Sequence, residues 1–208
     1  PLAGPKAQIT TKGFITVTFS NQYKDAEDLT QTNADGDECV NDRTTPELRF
    51  TNVTVNLCDV DTELFTMMSG LPQVLDWDDN PTGFRQNKQI NVEEGYAIEV
   101  WSGTAGDDCE EPLDDSFLTR TAAQRKYGYW LAPAIIESTL QDIEIGASVS
   151  TFTLAGRTPN GGAPAWGRGP YDVGAQDAQN TPGRLLTPWK KNEHWQMNTG
   201  TAEPPDLE

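Results

Sequence analysis

ELRFTNVTVNLCDV, residues 47–60, carries the pattern from which the class of the fold follows. Apolar or aromatic side chains alternate with polar ones, and β-branched residues are frequent, as in a strand that buries one face. These apolar positions are Leu48, Phe50, Val53, Val55, Leu57 and Val60. The alternation slips by one residue near Asn52, which predicts a long strand with a β-bulge at that point.

The same period-two alternation recurs before and after this segment. Further strands are predicted at residues 13–20, 71–77, 96–101, 138–145, 148–154 and 194–199, and the pair 138–145 and 148–154 forms a hairpin joined at Gly146-Ala147. One short helix is predicted to start within residues 59–63, which offer capping oxygens and early acidic residues, and to end at Gly70. The chain is therefore expected to be mainly β: an antiparallel β-sandwich or partly closed barrel with one short flanking α-helix and long loops.

Long polar segments interrupt these strands within what we expect to be a single domain, residues 1–208. An acidic stretch at 25–45 predicts an extended loop or a loose hairpin, and a Gly/Pro-rich arm occupies 160–184. Residues 200–208 predict an extended C-terminal tail. Because loops of this length are commonly functional, and no pocket is evident, we expect them to contact other copies of the chain.

The charge of the chain excludes some partners. Its 32 Asp and Glu residues exceed its 15 Lys and Arg residues, and the formal net charge of −17 would repel nucleic acid. The longest apolar run, around residues 131–136, contains Pro133 and is far shorter than the roughly 20 residues of a membrane span. We therefore expect neither a nucleic-acid-binding surface nor a membrane segment, and no signal peptide is visible from Pro1.

Catalytic motifs are absent from the sequence. His194 is the only histidine, it lies between Glu193 and Trp195, and no G-x-S-x-G motif accompanies it. Paired acids such as Asp107 and Asp108 arise by chance in so acidic a chain. We therefore predict no catalytic residue, no bound cofactor and no enzymatic activity.

Two acidic segments come close to the spacing of a calcium-binding EF-hand, but both fail. Counted from Asp76, the sixth position is Pro81 where the loop requires Gly, and counted from Asn33 it is Glu38. An irregular Ca²⁺ site in either loop stays open, and we assign no metal ligand. The three cysteines lack a C-x-x-C spacing, so we expect small buried thiols in a reduced compartment rather than a zinc site or disulfides.

Aromatic residues divide into two groups by their sequence context. Trp101, Tyr129 and Trp130 lie in strand patterns and are expected in the core. The other tryptophans lie beside turns or in the late irregular segment; they are Trp77, Trp166, Trp189 and Trp195. Exposed tryptophans serve both protein interfaces and carbohydrate stacking, so both classes of function stay open.

Five segments, taken in order, resemble the major tail proteins of long-tailed bacteriophages that infect actinobacteria. They are LCDVDTEL at 57–64 with Gly70, AIEVWSG at 97–103, YGYWLAP at 127–133, FTLAGRT at 152–158 and WGRGPY at 166–171. The similarity extends from about residue 47 to about residue 198. It implies a tail tube subunit: a β-sandwich or barrel with a flanking helix, assembled as hexameric rings that stack into a hollow tube. Members of that family carry residues upstream of the position that matches Pro1.

The resemblance also implies partners and a location. The subunit would be made in the host cytoplasm and would belong to the virion, in the tail. Its partners would be other copies of itself, the tape-measure protein, and the tail terminator and tail tip proteins. DNA would pass through the lumen during genome ejection without specific binding, which a chain with a net charge of −17 would favour.

Candidate site residues follow from these expectations. Candidate inter-subunit contacts are Trp166, Tyr171 and Trp189, and candidate lumen-facing acids are Asp107, Asp108, Glu110 and Glu111. These acids would equally suit an outward face that keeps the subunit soluble. Two other functions stay open: a carbohydrate-binding or adhesin β-sandwich, and another tail component of related fold, such as a terminator or a tip protein.

Overall fold

The computed structural model describes residues 9–58, 61–86, 88, 95–103, 127–143, 150–162, 174–175, 182–183, 187, 189–190 and 192–200. Within these ranges the chain forms twelve strands and one helix. The elements are β1 (Phe14–Lys24), β2 (Asp28–Thr32), β3 (Glu38–Arg43), β4 (Glu47–Leu57), α1 (Thr62–Ser69), β5 (Gln73–Leu75), β6 (Pro81–Phe84), β7 (Tyr96–Gly103), β8 (Tyr127–Leu140), β9 (Phe152–Arg157), β10 (Gly174–Ala175), β11 (Pro182–Gly183) and β12 (Gln196–Gly200).

One six-stranded antiparallel sheet dominates the architecture. Its order is β1-β4-β9-β8-β12, and β7 also pairs with β8. The sheet curls into a half-barrel, and three two-stranded sheets, β2–β3, β5–β6 and β10–β11, accompany it. The predicted class, mainly β with antiparallel strands and one short helix, is confirmed.

Strand β4 runs through the middle of the core, as the alternation predicted. From Thr51 to Leu57 the odd-numbered side chains are buried and the even-numbered ones are only half-buried. The predicted bulge is present, but it is at Arg49 rather than near Asn52. Gln22 faces Phe50 and Tyr23 faces Leu48, so Arg49 is the extra residue of the β1–β4 ladder.

Helix α1 lies between the predicted capping segment and Gly70, and Asp61 is the residue of that segment that caps it. The Asp61 carboxylate accepts hydrogen bonds from the N–H groups of Glu63 (2.9 Å) and Leu64 (3.1 Å), and Gly70 adopts a left-handed conformation with φ of 68°. The buried residues of the helix are Leu64, Phe65, Met68 and Ser69. They pack on the core face of the large sheet, among Val53, Val55, Leu57, Ala132, Ile135 and Leu154.

Strand β8 is longer than predicted because it continues through Pro133. Ala132 faces Ile98, but the next paired residue, Ile135, faces Tyr96, so β8 carries an extra residue beside the proline. This irregularity accommodates a residue that has no N–H to donate to the ladder. The predicted hairpin is confirmed in its described part, since Thr139 faces Ala155 in β9; its turn lies outside the described residues.

The structure forms a hairpin in the 25–45 segment but does not bury the two cysteines that it describes. The 25–45 segment is a hairpin, with Asn33 Oδ1 accepting hydrogen bonds from the N–H groups of Asp35 (3.0 Å) and Asp37 (2.9 Å). The expectation of buried thiols is wrong for Cys39 and Cys58, which are exposed. Cys39 lies in this solvent-facing hairpin, where no core is available to cover it.

Among the described residues, no helix has the length and apolar character needed to cross a membrane.

Candidate assembly surfaces

The β2–β3 hairpin, residues 28–43, is the most exposed regular structure of the described chain. Every residue of both strands is exposed. Leu29 and Val40 lie on the same face of the hairpin as diagonal neighbours, since Leu29 faces Asp42 and Gln31 faces Val40. The two strands are joined at their base by an exposed Asp28–Arg43 ion pair of 3.4 Å, which adds little stability. Two-stranded hairpins are marginal alone, so packing against another surface would stabilise this one.

The outer edge of β1 is a second exposed element. β1 pairs with β4, and no strand of the described ranges pairs with its other edge. This edge is eleven residues long and contains no proline, and Ile15 and Tyr23 are 52% and 59% exposed. Such an edge presents unpaired N–H and C=O groups that another chain can complete.

Side chains, rather than a backbone ladder, connect the two ends of the half-barrel. Trp195, just before β12, stacks on Phe19 of β1 at a ring distance of 5.5 Å. Its indole N–H donates a hydrogen bond to Asn21 Oδ1 (3.1 Å), and Trp130 lies 5.8 Å from the same indole ring. These two tryptophans are therefore engaged with each other and with β1, which does not suit them to stack on a sugar.

The tip of the β5–β6 hairpin carries the most exposed aromatic side chain of the described residues. Trp77 is 97% exposed. The turn beneath it is held by the Asp76 carboxylate, whose Oδ1 accepts hydrogen bonds from the N–H groups of Asp78 and Asn80, both at 2.9 Å. These bonds lower the pKa of Asp76, the Asn80 bonds contributing most, so the carboxylate that organises the turn stays ionised.

A shallow cleft of about 320 Å³ opens on the face of the large sheet opposite α1. We call it the β4–β9 cleft; it is lined by Asn52, Thr54, Glu137, Ala155, Gly156 and Arg157. The Arg157 guanidinium donates two hydrogen bonds of 2.6 Å to the Glu137 carboxylate and lies over the Phe50 ring at 5.3 Å. Through these hydrogen bonds, Arg157 lowers the pKa of Glu137.

The histidine considered for catalysis is buried in a polar network. Thr158 Oγ1 accepts a hydrogen bond from the Thr51 N–H (2.8 Å) and shares a second hydrogen bond with His194 Nδ1 at 2.7 Å. The imidazole is 3% exposed, and its Nε2 has no hydrogen-bond partner within the described part of the chain. This geometry makes His194 a packing residue that joins β4 and the segment after β9 to the segment before β12.

Burial lowers the pKa of His194 below its ordinary value of 6.5, and this predicts a pH-dependent stability. Because the unfolded chain binds this proton more readily, the free energy of unfolding should fall as pH decreases below 6.5. Urea denaturation at several pH values between about 5 and about 7.5 would measure this. In His194→Asn the free energy of unfolding should fall less steeply over that pH range, because the variant keeps every other titrating group but lacks the imidazole. Equal slopes for the variant and the intact chain would contradict the prediction.

The residues predicted as sites are only partly placed by the structure. Trp189 is 8% exposed and packs against Tyr129 and Leu131, so its indole belongs to a small core of its own chain. The other predicted residues lie outside the described residues; they are Trp166, Tyr171, Asp107, Asp108, Glu110 and Glu111. Trp77 was not selected from the sequence as a contact. The signal was its position within the turn DWDDNP, because a side chain at the tip of a tight hairpin has no neighbouring layer to cover it.

In the ranges that the structure describes, no three His, Cys, Asp or Glu side chains are grouped so that they could hold a metal ion. Comparisons with models of protein families, with curated proteins and with solved structures found no match.

Proposed function

We propose that this chain is a structural subunit that polymerises with copies of itself into the tail tube of a long-tailed bacteriophage. The observation that carries the proposal is the β2–β3 hairpin, which is exposed along its whole length and bears Leu29 and Val40 on one face. The open edge of β1 offers a second contact that a neighbouring subunit can complete. Rings need two different complementary surfaces on each subunit, and these two elements can supply them.

The ordered resemblance to phage tail proteins supports the same function. Four of the five resembling segments fall at least partly on described elements: the end of β4 with α1, then β7, β8 and β9. The net charge of −17 suits a conduit that DNA passes without binding. Under this proposal the rings are hexameric, and their partners are the tape-measure, tail terminator and tail tip proteins.

Removing the hairpin tests this function. Glu27 and Thr44 are hydrogen-bonded at its base, with the Thr44 N–H donating to the Glu27 carbonyl (3.0 Å), so an Asn-Gly turn can replace residues 28–43. We expect the shortened subunit to fold with an unchanged melting temperature but to form no tubes in negative-stain electron microscopy at concentrations where the intact chain does. Tubes from the shortened subunit would contradict the role of the hairpin.

A matched pair of variants sharpens the test. Leu29→Ala with Val40→Ala truncates the apolar face, whereas Thr30→Ala with Asn41→Ala truncates polar side chains of the opposite face and removes the same number of heavy atoms. We expect only the first pair to impair assembly. An intact chain that stays monomeric at high concentration would contradict the tube function itself.

A carbohydrate-binding function is the second candidate, because Trp77 is 97% exposed beside Asp78 and Asn80, and rings and polar oxygens together suit a sugar. It predicts that the fluorescence of the monomer changes on titration with glycans and that Trp77→Phe weakens this change. A chain that forms tubes and shows no glycan response would exclude this candidate. Rings that do not stack would favour a terminator or tip protein.

A further inference from the structure

We propose that Trp77 is an anchor that inserts into the β4–β9 cleft of a second copy of this chain. The proposal rests on the proposed self-assembly and adds to it a specific contact between two defined surfaces. One surface is the tip of the β5–β6 hairpin, and the other is the cleft on the opposite face of the large sheet.

The tip of the β5–β6 hairpin is preorganised to present Trp77 to a partner. An almost fully exposed indole offers a large apolar area, and such side chains dominate the energetics of protein interfaces. The turn that presents it is closed by the backbone hydrogen bond from Asp76 N–H to the Asn80 carbonyl (2.9 Å), besides the bonds to the Asp76 carboxylate. Little conformational freedom of the turn would therefore be lost when Trp77 docks.

The cleft has the size and the chemistry to receive this side chain. Its volume of about 320 Å³ is near the lower limit for ligand pockets, which suits one aromatic ring rather than a large ligand. Arg157 is held in place by the bidentate contact with Glu137, so its guanidinium presents a fixed face at the cleft. An indole is the best aromatic partner for such a cation.

Charge complementarity selects a second copy as the occupant. Asp78 and Asp79 follow Trp77 directly, while Arg49, which is exposed, reaches over the same Phe50 ring as Arg157, at 5.9 Å. Arg157 is paired with Glu137, so Arg49 supplies the unbalanced positive charge beside the cleft, in a chain with twice as many acidic as basic residues. An acidic tip would therefore be attracted to this face and repelled by most of the remaining surface.

The positions of tip and cleft require the contact to be head to tail. The β5–β6 hairpin packs on α1, and Phe84 of β6 stacks on Phe65 of the helix at 4.9 Å. Because α1 lies on the core face of β4, the tip belongs to one side of the sheet and the β4–β9 cleft to the other. A tip cannot reach the cleft of its own chain, so the contact propagates from copy to copy, as rings or filaments require.

Photo-crosslinking locates the contact. A chain with p-benzoylphenylalanine at position 77 is mixed with an excess of intact ¹⁵N-labelled chain under tube-forming conditions, irradiated, and analysed by mass spectrometry. We expect crosslinks between unlabelled and labelled copies that map to residues 49–54 and 155–157. Tubes with crosslinks elsewhere, or only within one copy, would overturn this inference and leave the proposed tube function intact. A labelled chain that forms no assembly at any concentration would overturn both.

A charge exchange tests the same contact by function. Asp78→Arg and Arg49→Asp should each raise the concentration needed for assembly by about 10-fold or more, and the double variant should recover most of the loss. Asp142→Arg, which makes the same charge change at an exposed position that belongs neither to the tip nor to the lining of the cleft, should assemble like the intact chain. Additive losses in the double variant would overturn the pairing.

Discussion

Replacing Phe65 with alanine is expected to lower the free energy of unfolding by about 3–5 kcal/mol. The side chain is 0% exposed and stands where three elements meet. Its ring stacks on Phe84 of β6 at 4.9 Å and meets the edge of Phe152 of β9 at 5.5 Å. Alanine would leave a cavity between α1, the β5–β6 hairpin and the sheet, and urea denaturation followed by circular dichroism would measure the loss.

Met67→Ala is the matched control for this substitution. Met67 lies on the same helix but is 37% exposed, and both substitutions create the residue with the best helix propensity. We expect a change below about 1 kcal/mol for the control. Similar changes for the two variants would contradict the packing described, because the buried ring would then contribute no more than an exposed side chain of the same helix.

The helix and most of the strands could be predicted because local sequence determines them. Asp61 supplies the carboxylate oxygen that caps the first turn, and Gly70 tolerates the left-handed conformation that ends the last one. The alternation in β4 likewise predicts which side chains face the core, since side chains along a strand point to opposite faces in turn.

The bulges and the extent of β8 could not be predicted in the same way, because they depend on the neighbouring strand. Arg49 is the extra residue only relative to Gln22 and Tyr23 of β1. Pro133 breaks an apolar run in the sequence, yet its strand continues because the ladder to β7 shifts by one residue there. A proline indicates a local irregularity, and only the pairing decides whether the strand stops.

The burial of the turn-adjacent tryptophans could not be predicted for a related reason. Trp189 and Trp77 both lie beside turns in the sequence, yet one is buried against Tyr129 and the other is exposed. The difference lies in what covers each residue. Trp189 packs against Tyr129 and Leu131, which provide an apolar surface on β8. Trp77 instead lies at the outer end of a hairpin whose other end packs on α1. Tertiary packing, which sequence periodicity does not report, separates the two.

Thr158→Val is expected to lower the free energy of unfolding by about 2–4 kcal/mol although the two side chains have nearly the same shape. The hydroxyl serves two buried partners at once, the Thr51 N–H at 2.8 Å and His194 Nδ1 at 2.7 Å. Valine would leave both without that hydrogen bond in a region closed to water, and unmade hydrogen bonds of buried groups are costly. Urea denaturation at about pH 7.5 would measure the loss.

Thr158→Ser separates the hydrogen bonds from the packing, because serine keeps the hydroxyl and removes only a methyl group. We expect it to cost about 1 kcal/mol, and a loss as large as that of valine would contradict the role given to the hydroxyl. A double-mutant cycle then divides the effect between the two partners. If the bond to the imidazole matters, Thr158→Val should cost at least 0.5–1 kcal/mol less in a His194→Leu background, because Nδ1 is no longer there to be left unpaired. The remainder would belong to the Thr51 N–H, whose bond to the Thr158 hydroxyl extends the pairing of β4 and β9 by one residue beyond their ladder.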